Sequence, residues 1–199
     1  LRNYLDTINS MIKSRQSIYD WILTLVFPLL MIFFSFKNYN VKKYFFFIVL
    51  SFSLIGATLI PGGLGGSDSE HYIEYLNDFH ENKIFLSSEL FSIENSNADF
   101  YKVIITYLIS IFTNSSIIFF FFISFVFSFF MIKNIFFILN TISFHRNKKI
   151  LILLLIVLFL LNPIWNINGY RFWTAFHVLV FGVIQYFKLN KINGLLLFL

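Results

Sequence analysis

The chain has no cysteine and little charge, and both scarcities restrict what it can be. Without cysteine, disulfides and thiolate chemistry are excluded. Charged residues make up 13% of the chain, whereas a soluble domain has about 25%. Hydrophobic residues make up 58%, and the mean hydropathy is +0.76. We therefore predict an all-α, polytopic transmembrane helical bundle, and nothing in the net charge of +5 calls for a nucleic-acid partner.

Familiar catalytic and metal-binding motifs are also missing. No Walker loop, dinucleotide fingerprint, nucleophile elbow or His-Glu-x-x-His sequence occurs. His71, His80 and His145 lack the spacing of metal ligands, so neither a metal site nor a cofactor is predicted. The internal repeat and span count of a complete transporter are absent too. Phenylalanine is abundant, at 30 of 199 residues. We attribute this to codon usage at lipid-facing positions and not to an aromatic site.

Long apolar runs set the predicted architecture. A helix needs about 20 apolar residues to cross the bilayer, and about 17 can suffice. The chain is predicted to be one membrane domain, residues 1–199, and the N-terminal part of a longer protein. The predicted spans are 18–36, 44–60, 117–139, 150–165, 172–187 and a truncated one at 194–199. Region 100–113 is too short to be an obvious span and contains Lys102, so we predict a short juxtamembrane or re-entrant helix there.

The distribution of basic residues predicts the orientation, because cytoplasmic loops are enriched in lysine and arginine. Segment 61–99 has many carboxylates and one lysine, so we expect it outside. Three loops should be cytoplasmic because of their basic residues, which are Lys37, Lys42 and Lys43, then Arg146, Lys148 and Lys149, then Lys188 and Lys191. The same scheme places the N-terminus outside, against the preference of Arg2, Lys13 and Arg15.

The acidic outer segment contains a predicted amphipathic helix. Ser67 and Glu70 have the spacing of a capping box, and Asp68 falls in the first turn, where a negative charge is favoured. Such a helix suits the membrane interface, with its tyrosines at headgroup depth. Its apolar stripe is Tyr72, Tyr75, Leu76 and Phe79, and its acidic stripe is Glu70, Glu74, Asp78 and Glu81. The acidic stripe is either a solvated face or part of a metal or substrate site.

A second polar feature interrupts two apolar runs at Asn168-Gly169-Tyr170-Arg171. Irregular polar backbone is tolerated at membrane depth only where protein or a water-filled cavity shields it. Arg171 is therefore either an interfacial anchor or an anion-binding residue. His177, six residues later, is either a packed histidine or a catalytic one. In the predicted topology this turn and the acidic segment share the outer face, so they could form one site.

Both features resemble elements of a known family. Gly66-Ser67-Asp68 followed by Tyr72 resembles a Gly-(Ser/Thr)-Asp-x-x-x-Tyr element in a first outer loop. Asn168-Gly169-Tyr170-Arg171, continuing to Ala175, resembles an Asn-Gly-x-Arg-x-x-x-Ala element that opens a membrane helix. These elements belong to the EpsG family of membrane polysaccharide polymerases, which are related in role to the Wzy O-antigen polymerases.

The resemblance implies an enzyme of exopolysaccharide, capsule or O-antigen synthesis in the plasma (inner) membrane. It implies polymerisation of undecaprenyl-pyrophosphate-linked oligosaccharide repeat units at the outer face, with the pathway's flippase and chain-length regulator as candidate partners. The candidate catalytic residues are Asp68, a general base, and Arg171, which binds the leaving pyrophosphate. The candidate substrate-binding residues are Tyr72, Asn168, Gly169, Tyr170 and His177.

Three alternatives remain open from the sequence. The protein could be a polyprenyl-linked transferase that adds a single sugar. It could be a polysaccharide acyltransferase, in which His177 would be catalytic. It could also be a non-enzymatic membrane scaffold or transport component.

Overall fold

A computed structural model describes residues 17–38, 42–58, 68–82, 100–141 and 170–189. These ranges contain helices and no strand, which confirms the all-α prediction for this part of the chain. The predicted spans 150–165 and 194–199 lie outside the described residues. The helices are α1 Ser17–Val26, α2 Pro28–Lys37, α3 Lys42–Thr58, α4 Asp68–Asn82, α5 Phe100–Ser110, α6 Ser116–Thr141 and α7 Tyr170–Leu189.

Helix α6 is the longest and most apolar helix in the described ranges. Its 26 residues correspond to about 39 Å of helix. Among the described residues, its stretch Ser116–Phe137, with a mean hydropathy of 2.2, is the one helix long and apolar enough to cross a membrane. The core helix of a soluble protein can satisfy the same criteria. The polytopic arrangement stays a prediction.

Helices α3 and α6 run antiparallel and form the main core. The Phe45 ring, near the start of α3, lies 5.6 Å from Phe129 and 5.7 Å from Phe136, which are in the second half of α6. One turn further along α3, the Val49 carbonyl accepts a hydrogen bond from Ser128 Oγ at 3.4 Å. The buried apolar core consists of Ile32 from α2, Ile48, Val49 and Phe52 from α3, and Phe127, Met131, Ile132 and Ile135 from α6.

The segment predicted as one span at 18–36 forms two helices, α1 and α2, that meet at Phe27. Proline has no N–H group, and it disfavours helical geometry in the residue before it. Pro28 accordingly opens α2, and Phe27 has φ −133° and ψ 63°. Each helix has ten residues, which is about 15 Å and half of the hydrocarbon thickness.

Helices α4 and α5 lie side by side, run parallel and pack on the beginning of α6. Phe79 contacts Tyr107 at 5.8 Å between ring centroids, and His80 Nδ1 donates to the Ser110 carbonyl at 2.6 Å. The apolar face of α4 is buried against protein and not left for lipid headgroups, because the neighbouring helices supply an apolar partner. The shared buried cluster is Tyr72 and Leu76 from α4, Ile109 from α5, and Phe119, Phe120 and Ile123 from α6.

Helix α7 runs parallel to α6. The His177 ring contacts Phe127 at 5.4 Å, and Phe181 contacts Phe130 at 5.7 Å. The His177 carbonyl accepts a hydrogen bond of 2.8 Å from Asn134 Nδ2. Side chains tilt toward the N-terminus of a helix while carbonyls point toward its C-terminus. The ring of His177 thus faces an earlier residue of α6 than its carbonyl does, as parallel helices require.

Candidate functional site

Both segments singled out in the sequence lead into helix starts. Helix α4 begins at Asp68, and helix α7 begins at Tyr170, so Arg171 is the second residue of its helix. The first N–H groups of a helix have no partner within it, and the helix dipole is positive there, so helix starts favour anions. Asn168, Gly169 and the side chains of Asp68, Tyr170 and Arg171 lie outside what the structure describes.

The contacts place helix α4 and the start of α7 along the same half of α6. Helix α4 packs on Phe119 and Phe120, near the beginning of α6. Because α7 is parallel to α6 and its His177 lies beside Phe127, Tyr170 lies about 10 Å earlier, level with the beginning of α6. Helix α3 is antiparallel to α6, so it ends at this level too. Helix α4 and the start of α7 therefore both lie along the first half of α6.

Tyr72 lies one turn after Asp68 and is 2% exposed. Lys102 of α5 places its Nζ 5.2 Å from the centroid of the Tyr72 ring and 4.5 Å from that of Tyr75. This cation–π arrangement holds a positive charge beside the start of the acidic helix. In the sequence, Lys102 appeared only as a charge in a short apolar helix. Its proximity to Tyr72 depends on the parallel packing of α4 and α5, which the spacing of residues does not reveal.

His177 is packed among aromatic rings. It is 7% exposed, and its ring lies 5.4 Å from Phe127 and 5.5 Å from Phe176. Within the described ranges, its Nε2 and the Thr174 hydroxyl are buried with no hydrogen-bond partner. These contacts favour the packed histidine over a solvent-accessible catalytic base. His177 also lies about two helical turns from Tyr170, further into the bundle.

The acidic stripe of α4 faces away from the bundle. Glu74, Asp78 and Glu81 are exposed, and Glu70 is half-buried. Glu74 makes a 3.4 Å contact with His71, and both side chains are mostly exposed. Among the described residues, no group of three histidine, cysteine, aspartate or glutamate side chains is close enough to hold a metal ion. The described part of this stripe has the geometry of a solvated face.

No protein-family model, curated protein or solved structure matches this chain. The resemblance to the EpsG family therefore rests on the residues around Asp68 and Arg171 alone. The function that it implies stays a prediction.

Proposed function

We propose that this protein is a multi-pass plasma-membrane polysaccharide polymerase that joins undecaprenyl-pyrophosphate-linked oligosaccharide repeat units at the outer membrane face. One observation carries the proposal. Helix α4, which begins at Asp68, packs on the first half of α6, and α7 begins at Tyr170 level with that half, although about 100 residues separate the two helix starts in the sequence. The two halves of the EpsG-like motif pair are thus compatible with one site.

The proposed reaction needs an anion-binding group and a base. The acceptor sugar hydroxyl attacks the anomeric carbon of the donor sugar, and the bond from that carbon to the pyrophosphate oxygen breaks. The acceptor proton passes to Asp68, and the charge that grows on the pyrophosphate is stabilised by Arg171. Arginine suits this role because its guanidinium is permanently charged and binds phosphate oxygens with two parallel hydrogen bonds.

The surroundings of both residues support these roles. Arg171 lies in the first turn of a 20-residue helix, whose dipole adds to the attraction for a phosphate. Lys102 contributes a second positive charge near the start of α4. Tyr72, Asn168, Gly169 and Tyr170 are proposed to orient sugar and phosphate groups around these charges.

A membrane location is supported by the apolar surface of the described helices. Large apolar side chains are exposed on α1, α2, α5, α6 and α7, and so much exposed apolar surface is unfavourable in water. Lipids are therefore proposed to surround the bundle. The flippase and chain-length regulator of the same pathway are the proposed protein partners.

The alternatives are less well supported by the described contacts. An acyltransferase would use His177, whose ring is enclosed by phenylalanines. A single-sugar transferase could use the same acid and arginine, and the length of its product distinguishes it from a polymerase. A scaffold would tolerate changes at both positions.

The test replaces the chromosomal gene of the full-length protein with Arg171→Lys or Asp68→Asn and measures surface polysaccharide by gel electrophoresis. We expect each change to reduce long polymer by about 100-fold or more, since a single transition-state contact is worth about that much. Lys37→Gln, an exposed cation at the other end of α6, is the matched control and should leave the polymer unchanged. Full-length polymer from both site variants, at normal protein level, would rule out the proposed roles.

A further inference from the structure

The two helices on either side of Pro28 contact the same part of α3. Asp20, near the start of α1, bonds to Lys43 Nζ at 2.7 Å, and Phe34, near the end of α2, contacts Tyr44 at 5.6 Å. In one continuous helix, positions 20 and 34 would lie about 21 Å apart along the axis. Here they reach neighbouring residues at the beginning of α3. The chain must therefore bend back at Phe27. We call α1 and α2 the two arms of this bend, and the start of α1 and the end of α2 their bases, which both lie beside the beginning of α3.

Aromatic and aliphatic contacts support the same geometry along the arms. Trp21 of α1 contacts Phe47 at 5.2 Å between ring centroids. Met31 of α2 is fully buried with Tyr44 and Phe47, and Leu23 of α1 packs against that cluster. Both arms are therefore held by the first half of α3.

The bend itself is apolar and exposed, and the backbone groups of Phe27 at its centre are hydrogen-bonded. Leu25 is 63% exposed and Leu29 is 62% exposed, and the neighbouring Val26, Phe27 and Leu30 are exposed as well. The Phe27 N–H donates to Leu23 O at 2.9 Å, and the Phe27 carbonyl accepts from Met31 N at 3.1 Å. Satisfied backbone groups of this kind are what a bend at hydrocarbon depth requires.

The base of the arms has the opposite character. Lys37 ends α2, and Lys42 and Lys43 begin α3, so three cations lie at one end of the pair. The hydrogen bond from Asp20 raises the pKa of Lys43, which precedes the predicted span at 44–60. The apolar bend (the tip) and the three lysines at the bases match the layers of a bilayer. Hydrocarbon would surround the tip, and anionic headgroups would contact the lysines.

We propose that α1 and α2 form a re-entrant hairpin that dips into the bilayer from the cytoplasmic side and returns to that side, with lipid covering its tip. Each arm of ten residues reaches about 15 Å, half of the hydrocarbon core. Position 17 and position 38 then lie on the same side. This removes the conflict in the predicted orientation, because Arg2, Lys13 and Arg15 join the other basic residues in the cytoplasm.

The inference needs the proposed membrane location but not the proposed chemistry, and failures of the two are distinguishable. If the protein stays in the supernatant after membranes are pelleted, the membrane location fails and the hairpin fails with it. If the protein is in the membrane and α1 with α2 crosses it, only the hairpin fails. Loss or retention of polymer synthesis bears on neither result.

Sidedness tests the hairpin directly, since the natural chain has no cysteine. Ser17→Cys and Asn38→Cys variants of the full-length protein are treated with an impermeant maleimide on intact and on permeabilised cells. We expect neither to react in intact cells and both to react after permeabilisation. Reaction of Ser17→Cys alone in intact cells would show a crossing segment and overturn the hairpin. Reaction of both in intact cells would overturn the cytoplasmic orientation.

Collision measurements identify what covers the tip. Nitroxide labels are placed at Leu29→Cys, at the exposed Lys37→Cys and at the buried Ile48→Cys, in vesicles of phosphatidylethanolamine and phosphatidylglycerol. At position 29 we expect frequent collision with oxygen and little with a nickel chelate, which indicates lipid. At Lys37→Cys we expect collision with the nickel chelate to dominate. At Ile48→Cys we expect collision with both reagents to be infrequent. Low collision with both reagents at position 29 would indicate cover by a second copy or another segment of this chain, and dominant nickel collision would indicate water; either would overturn the proposal.

Discussion

At the beginning of α6, the amphipathic helix α4 buries its apolar face against α5 and α6 and presents its carboxylates outward, and α7 starts level with the same part of α6. At the other end of α6, the apolar hairpin of α1 and α2 and three lysines surround the start of α3. The first end combines the carboxylates of α4 with the start of α7, which favours anions, as the proposed site needs. The second end combines cations with exposed apolar residues, as a membrane anchor requires.

The same residue type has different roles at the two ends. Phe120 is fully buried between α4 and α6, whereas Phe33 on α2 is 71% exposed. Their sequence surroundings are similarly apolar, so hydropathy alone does not predict which of them faces protein. The difference arises from the neighbouring helix. Helix α4 covers Phe120, and no described helix covers Phe33.

The largest expected effect is at the end that bears the candidate site. Phe120→Ala should destabilise the protein by about 3 kcal/mol or more, because it leaves a cavity where α4 and α5 pack on α6. Unfolding of the full-length protein in detergent by increasing dodecyl sulfate measures this loss. Phe122→Ala, two residues away and 49% exposed, is the matched control and should cost well under half as much.

Equal losses from the two variants would contradict the comparison. They would mean that α4 does not cover Phe120, and the placement of α4 on the first half of α6 would lose its structural basis. A larger loss at Phe122 would have the same meaning, because the side of α6 assigned to α4 would then be wrong.

The positions of the helices were largely predictable, and their partners were not. The period of apolar residues indicated α4 correctly, but its apolar face packs on protein, a result that depends on α5 and α6 lying beside it. The span at 18–36 was predicted from hydropathy alone, and hydropathy does not show that Pro28 can change the direction of the chain. The contacts of Asp20 and Phe34 with the start of α3 show that the chain bends there.

An intermediate effect is expected at the lysine-rich end. Lys43→Met leaves the Asp20 carboxylate, which is 4% exposed, without its 2.7 Å partner. We expect a loss of about 2 kcal/mol, the typical contribution of a hydrogen bond to a charged group. Lys42→Met, at the neighbouring exposed position, should change stability little. Both are measured by the same detergent unfolding.

A double variant sharpens this prediction. Adding Asp20→Asn to Lys43→Met removes the buried charge and should recover most of the lost stability, giving a clear coupling between the two positions. Additive losses would show that Asp20 and Lys43 do not interact, and the bases of the two arms of the hairpin would then not be held together.

The candidate site was less predictable than the fold. Short motifs and helix-start chemistry pointed to Asp68 and Arg171, and the structure adds that α4 and the start of α7 lie along the same half of α6. Lys102 was not selected, because a single lysine in a short apolar helix has no motif. Only the parallel packing of α4 and α5 shows that its charge lies over Tyr72 and Tyr75.

The smallest expected effect concerns that lysine. Lys102→Met should lose about 1 kcal/mol, because a cation over an aromatic face contributes about 0.5–2 kcal/mol depending on desolvation. Lys102→Arg keeps the charge and can stack on the same rings, so it should retain most of the stability. If arginine is as harmful as methionine in detergent unfolding, the position depends on side-chain length and not on charge. Lys102→Met could instead leave stability unchanged and still reduce polymer length. The charge of Lys102 would then act on the substrate, as a second cation of the proposed site besides Arg171.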